Sequence, residues 1–199
     1  DFRGYAAASL KRRLKAAMRS FGCRTLSHLQ DKVLRDPAMF AALMDYLTLQ
    51  VSEMFRDPSY FLSLRHAVVP LLRTYPSLKV WVAGCSTGEE AYSLAILLHE
   101  EGLLARSLLY ATDINTTALQ KAQAGMYPIQ RMARFNLNHQ QSGARSSLAD
   151  HYAVAHGHAA FDKSLASHIV FSEHSLVTDG VFAEVQLVSC RNVLIYFDR

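Results

Sequence analysis

Cysteine is scarce and lacks pattern: Cys23, Cys85 and Cys190 are three in number, with no CxxC spacing. That argues against a disulfide framework and a zinc ribbon, and three free thiols are expected. No apolar run approaches the ~20 residues of a membrane span, and the opening DFRGYAAASLKRR lacks the apolar core of a secretory signal. A cytoplasmic, monomeric protein without membrane insertion is expected. Internal repeats and low-complexity tracts are missing. So is any obvious Ser/His/Asp or Cys/His constellation. His151, His156 and His158 fall in an aperiodic stretch, HYAVAHGH, without a partnering carboxylate motif, so a solvated loop and no metal site are expected.

What remains is a chain of 199 residues, 50% hydrophobic, with material for a real core and a net charge of +4. The charge is uneven. Arg3, Lys11, Arg12, Arg13, Lys15, Arg19 and Arg24 crowd the first segment, opposed there only by Asp1. Such a cluster either solvates a helix face or meets an acidic partner. Basic and aromatic residues do not interleave outside that segment, as base-modifying enzymes would require, so no nucleic-acid partner is expected.

Leu10, Leu14, Ala17, Met18 and Phe21 have helical spacing with Gly22 as a stop, and the basic residues are assigned to the opposite face. A second helix is predicted over 25–34. Asp36-Pro37 opens a third toward Leu49, and Asp57-Pro58 a fourth that ends near Pro76. After Pro76 the pattern becomes strand, helix, strand: LKVWVAG, a helical stretch from Glu89 to His99, then RSLLYATDI. SHIVFSEHSL and EVQLVSCRNVLIYF supply two more strands, expected to be buried. The division is therefore an all-helical unit over 1–76 and an α/β unit over 77–199. A helix near 130–141 and a small insertion around 143–168 are also expected.

VWVAGCSTGEEAYSLA sets a small-residue elbow after a strand, where parallel α/β sheets bind ligands. Gly84 and Gly88 would let a ligand approach the backbone. It is neither GxGxxG nor a phosphate loop, because glutamates rather than lysine follow Gly88. Glu89 and Glu90 would repel a polyphosphate but hold an ammonium or sulfonium. Asp113, at the tip of the next strand, can accept two hydrogen bonds from a ribose. S-adenosylmethionine has that shape. The same residues could equally be a favourable helix start and a cap.

LTLQVSEMFRDPSYF, VWVAGCSTGEEAYSLA, ATDIN, AGMYP, VFSEHSL and SCRNVLIYFD occur in the order and approximate spacing of the CheR family. The chain thus resembles the chemotaxis receptor (methyl-accepting chemotaxis protein) glutamate O-methyltransferases over nearly its whole length. The resemblance implies a Rossmann-like S-adenosylmethionine-dependent methyltransferase domain. Its sheet is largely parallel with helices on both faces, and a small all-α domain precedes it. S-adenosylhomocysteine would be the product and receptor cytoplasmic helices the partners.

Aligning QVSEMFR with the family's NxTxFFR implies that Gln50, Ser52 and Arg56 line the pocket. Glu89 or Glu90 would meet the methionine end and Asp113 the ribose. Ser175 and Leu176 replace the family's NL at the adenosine, followed by Cys190, Arg191 and Asn192, with Tyr196 facing the transfer site. Gln50, Ser52, Met54 and Ser175 depart from the usual Asn, Thr, Phe and Asn, and Ser175 loses an amide. The chain stops soon after IYFD, where the family pattern continues, so a fragment with an uncovered sheet edge is expected. A glutamate acceptor is ionised at neutral pH, with a reference pKa of about 4.3, and needs no general base. Arg56 would steer it, and Tyr196 would orient it or cover the sulfonium. Lys11, Arg12, Arg13, Lys15 and Arg19 would dock the acidic receptor.

Overall fold

The computed structural model describes residues 5–48 and 50–197. Arg3 of the basic cluster, Leu49 of the LTLQVSEMFRDPSYF motif and Asp198 of IYFD lie outside them.

Three helices open the chain: α1 (Ala7–Ser20), α2 (Leu26–Arg35) and α3 (Pro37–Leu47). The Asp36 carboxylate accepts from Ala38 N at 2.9 Å, so the cap expected there forms, and the Thr25 hydroxyl caps α2 by accepting from His28 N at 3.1 Å. Ala17, Cys23, Leu29, Leu43 and Leu47 make a small core of their own. Lys11, Arg12, Lys15 and Arg19 are exposed, as their pattern required. Arg13 is not: it is 7% exposed and faces inward, which corrects its assignment to the solvent face. Its guanidinium donates to the carbonyl of Leu47, one of the last-turn carbonyls of α3 that have no helical partner.

Asp57 does not cap the next helix. Its backbone is left-handed (φ 56°), and its carboxylate instead accepts from Arg191 at 2.7 Å. The helix expected to run unbroken toward Pro76 is α4 (Pro58–Ser63), a wider π turn over 64–68, and α5 (Val69–Leu72). Pro70, which has no N–H to give, stands at the second position of α5, just after the widened turn. Phe61, Leu64, Val69 and Leu72 pack into the α/β core, not with α1–α3. The packing therefore favours a boundary near residue 48 over the expected one at 76.

The main sheet is parallel, in the order β6-β2-β1-β7, from β1 (Leu78–Ala83), β2 (Ser107–Asp113), β6 (Ile169–Glu173) and β7 (Leu187–Ser189). Val80 pairs with Leu109, and Asp113 with Glu173. Helices α6 (Glu89–Glu100) and α7 (Thr116–Ala124) follow β1 and β2. Leu94, Leu97 and Leu98 of α6 join the main core. The strands expected to be buried, β6 and β7, are the edges of this sheet, and Val170 and Val188 are 42% and 50% exposed.

Residues 126–161 add a second, antiparallel sheet, β3-β5-β4, from β3 (Met126–Pro128), β4 (Tyr152–Ala155) and β5 (His158–Phe161), with α8 (Met132–Gln141) between β3 and β4. The expected solvated loop is thus a hairpin that turns at His156 and Gly157, and His151 is buried within hydrogen-bonding distance of the Ser146 hydroxyl. A buried polar knot ties this unit to the end of α6. Arg65 donates to Glu100, Glu101 and the Ser142 carbonyl, and His139 donates to Glu100 at 3.1 Å.

Candidate active site

The elbow between β1 and α6 is tightly constructed. Gly84 and Cys85 both donate their backbone N–H to the Thr112 carbonyl at 2.8 Å, which ties the turn to β2. Gly84 and Gly88 are left-handed, at φ 74° and 91°. The space beside them is filled by protein: an added Cβ would lie 2.4 Å from Val193 Cγ2 at Gly84 and 2.8 Å from the Ala122 Cβ at Gly88. The left-handed backbone and the close packing of chain on chain both require glycine here.

Over the elbow lies an open cleft of about 910 Å³, a volume that includes its solvent-filled mouth. Of the residues predicted from the sequence, it gathers Gln50, Ser52, Arg56, Gly84, Glu90, Asp113, Ser175, Leu176, Arg191, Asn192 and Tyr196. Arg13, predicted for docking, also lines it. Glu89 and Cys190 do not, which corrects both. Glu89 is fully buried against Arg131, at 2.6 Å, and is not exposed to the cleft. Ser189 turns its hydroxyl to Glu90, and Cys190, half-buried just past the end of β7, is not among the lining residues.

Two of the carboxylates lining the cleft, Asp113 and Glu90, are held in a defined way. Asp113 accepts from Ser86 N at 2.8 Å through one oxygen and from Asn115 N at 2.9 Å through the other. The backbone of Ile114 acts on the same carboxylate, and its remaining acceptor capacity is open to a ligand. Burial raises the Asp113 pKa, and these backbone donors oppose the rise. Glu90 accepts from the Ser189 hydroxyl at 2.6 Å and faces Arg191 at 3.3 Å. Burial raises its pKa too, against the pull of Ser189, Arg191 and Arg56. Gln50 bridges the helical unit to the elbow, accepting from the Ser86 hydroxyl at 2.5 Å and donating to Thr48 at 3.1 Å. The Ser175 hydroxyl is turned into its own loop, where it accepts from Val177 N and Thr178 N.

Cationic groups line the same cleft. The Arg191 guanidinium lies 4.0 Å over the Tyr60 ring, and that of Arg13 5.1 Å over the Tyr196 ring. Arg13 Nε is buried without a protein partner among the described residues. Ala6 N donates to the Tyr196 carbonyl at 3.0 Å, and Tyr5 bridges to Phe197, so the last described turn is pinned to the start of α1 beside the cleft. Phe55, Asp57, Ser86 and Asn192, all at or beside the cleft, are left-handed. Backbone strain of this kind gathers at functional sites. Sequence reasoning missed Tyr5, Ser93, Arg131 and Ser189. Their partners lie dozens of residues away, and no local period reveals them.

The donor set suits one ligand chemistry: hydroxyls at Asp113, a positive charge near Glu90, and no lysine for phosphates among the described lining residues. Among the described residues, no group of three or more His, Cys, Asp or Glu side chains is placed to hold a metal ion. No described helix is long and apolar enough to cross a membrane.

Residues 50–199 match the family described as CheR methyltransferase, SAM binding domain, and residues 1–48 match CheR methyltransferase, all-alpha domain. A Pseudomonas putida protein named "Putative methyltransferase Cher3" is 57% identical over all of this chain and 73% of its own length. The chemotaxis protein methyltransferase of Salmonella typhimurium is 32% identical over 96% of the chain and 64% of its own. That of Listeria innocua is 29% identical over 99% and 73%. The cleft beyond β1, with its carboxylates and without a phosphate-binding lysine, agrees with these matches, and the chain belongs to the CheR methyltransferase family, with S-adenosylmethionine as its cofactor.

Proposed function

We propose that this protein methylates glutamate side chains on the cytoplasmic helices of bacterial chemotaxis receptors, forming methyl esters in the cytoplasm. The observation that carries this reading is the presence of both signs of charge on the walls of one cleft. Carboxylates line it at Glu90 and Asp113, while Arg13, Arg56 and Arg191 also face it. When bound, S-adenosylmethionine supplies an electrophilic methyl on a sulfonium. Glu90 would hold the cationic amino-acid end and Asp113 the ribose hydroxyls. Arg56 would fix which oxygen of an incoming carboxylate faces the methyl, through its forked donors. Arg13, already stacked on Tyr196 with an unpartnered N–H, would share that carboxylate. Tyr196 would close the site against water. No proton need move, since glutamate is ionised at neutral pH. Alignment and loss of water around the reacting charges are together worth about 7–11 kcal/mol in well-oriented systems. Lys11, Arg12, Lys15 and Arg19, exposed on α1 beside the Arg13 face, would draw in the acidic receptor helix.

The test is transfer of tritiated methyl from S-adenosylmethionine to receptor-bearing membranes. Label on the receptor that mild base releases, as an ester must, is the expected result. Label that resists base, or no label, contradicts the proposal. The second reading, a cofactor-binding module that no longer transfers, draws on Ser175, whose hydroxyl serves its own turn and not a ligand. Cofactor binding without transfer would favour it.

A further inference from the structure

We infer that Arg131 is a positioning residue for methyl transfer, one of two glutamate–arginine clasps that hold the 50–57 segment in place over the cleft. The inference rests on reading the cleft as a transfer site.

Described residues between 50 and 57 form neither helix nor strand, so their backbone groups need partners from elsewhere. Side chains of four other segments supply them. The Ser52 carbonyl accepts from Arg131, that of Met54 from Asn138 at 3.0 Å, and that of Arg56 from Arg191 at 3.0 Å. Phe55 N donates to the Ser93 hydroxyl at 2.8 Å. The segment's shape is therefore imposed from outside, including the left-handed turns at Phe55 and Asp57.

Two of these donors share one design. Glu89 and Glu90 are consecutive at the start of α6, and each pairs with an arginine: Glu89 with Arg131 at 2.6 Å, Glu90 with Arg191 at 3.3 Å. Each arginine then reaches the same segment, at Ser52 and at Arg56. The second oxygen of Glu89 accepts from the Thr87 hydroxyl at 2.6 Å, and the Arg131 guanidinium lies 4.6 Å over the Phe135 ring. Glu89 is fully buried and does not line the cleft, so its charge serves the clasp. The two residues thus held, Ser52 and Arg56, both line the cleft. Displacing a reacting group by about 1 Å can cost roughly 100-fold in rate.

Arg131→Met alone would strand a buried carboxylate and threaten folding. The informative variant is therefore Glu89→Gln with Arg131→Met, which removes both charges together, alongside Arg131→Lys. Transfer to receptor-bearing membranes, S-adenosylmethionine binding by calorimetry and amide hydrogen exchange are measured on the full chain with wild type in parallel. Because wild type is assayed in the same run, a rate lost only in the variants is separate from a failure of the transfer reading.

The double variant should lose about 100-fold in kcat with cofactor affinity unchanged. Exchange should quicken at the amides of 51–56 while β1 and β2 stay protected. Arg131→Lys, which keeps the charge but not the fork, should fall between the two. A double variant with wild-type kcat, or one whose kcat, cofactor affinity and strand protection fall together, overturns the inference.

Discussion

Glu89 and Glu90 are neighbours in the sequence with different surroundings, one sealed against Arg131 and the other lining the cleft. Adjacent residues on a helix point about 100° apart, so the doublet could be recognised as functional, but which member met the ligand depended on where α6 lay on the sheet. Arg13 carried a clearer signal. It stands three residues after Leu10 and four before Ala17, which places it on the inner stripe of α1. Its charge argued for solvent, and the carbonyl of Leu47 decided otherwise. Arg56 is the residue on which the transfer proposal turns. It lines the cleft, and among the described residues its guanidinium makes one long hydrogen bond, to the Val51 carbonyl at 3.3 Å, which leaves its other donors available to an acceptor carboxylate. Arg56→Ala should abolish methylation while leaving S-adenosylmethionine affinity within about tenfold, a difference of 1.4 kcal/mol. Calorimetry on the mutant checks this, and a collapse of binding would make Arg56 a cofactor clamp.

Elements with strong local period were legible: α1, α2, α3, β1, α6, β2 and α8 fall within a few residues of their predicted spans. What the sequence did not reveal was set by partners far along the chain. The edge position of β6 and β7 follows from strand order, and the hairpin over 152–161 from pairing with β3. The hairpin unit hangs on the polar knot at the end of α6, where a pH dependence follows. Burial pushes the Glu100 pKa up, but hydrogen bonds from His139, Ser146 and Arg65 and the Arg65 charge outweigh it and bring it down to about 2. The folded value is thus below the unfolded one of about 4.3. The stabilisation is complete above the unfolded value and is lost as pH falls through the folded value. Urea midpoints should therefore drop between about pH 4.3 and about 2. Glu100→Gln should cost about 3 kcal/mol at neutral pH, because buried Arg65 loses a partner, and should flatten that acid limb. An unchanged limb in the variant would show that other carboxylates govern it.

At the scale of the whole molecule, a helical unit and an α/β unit share one cleft, and the parts that meet there are those the sequence motifs marked. Most of the candidate site was legible because strand tips and the turn after β1 bring ligand-facing residues together by topology. The clasps beneath it were not, since arginines that support a neighbouring segment look like any surface charge until the chain is folded. The account depends on the acidic elbow having been shaped for a positively charged methyl donor and not for a phosphate. Calorimetric titration with S-adenosylmethionine, S-adenosylhomocysteine and ATP addresses that most directly. Both S-adenosyl ligands should bind near micromolar, about −8 kcal/mol, with no heat from ATP. Silence from the sulfonium ligand, or tighter binding of the triphosphate, would contradict it.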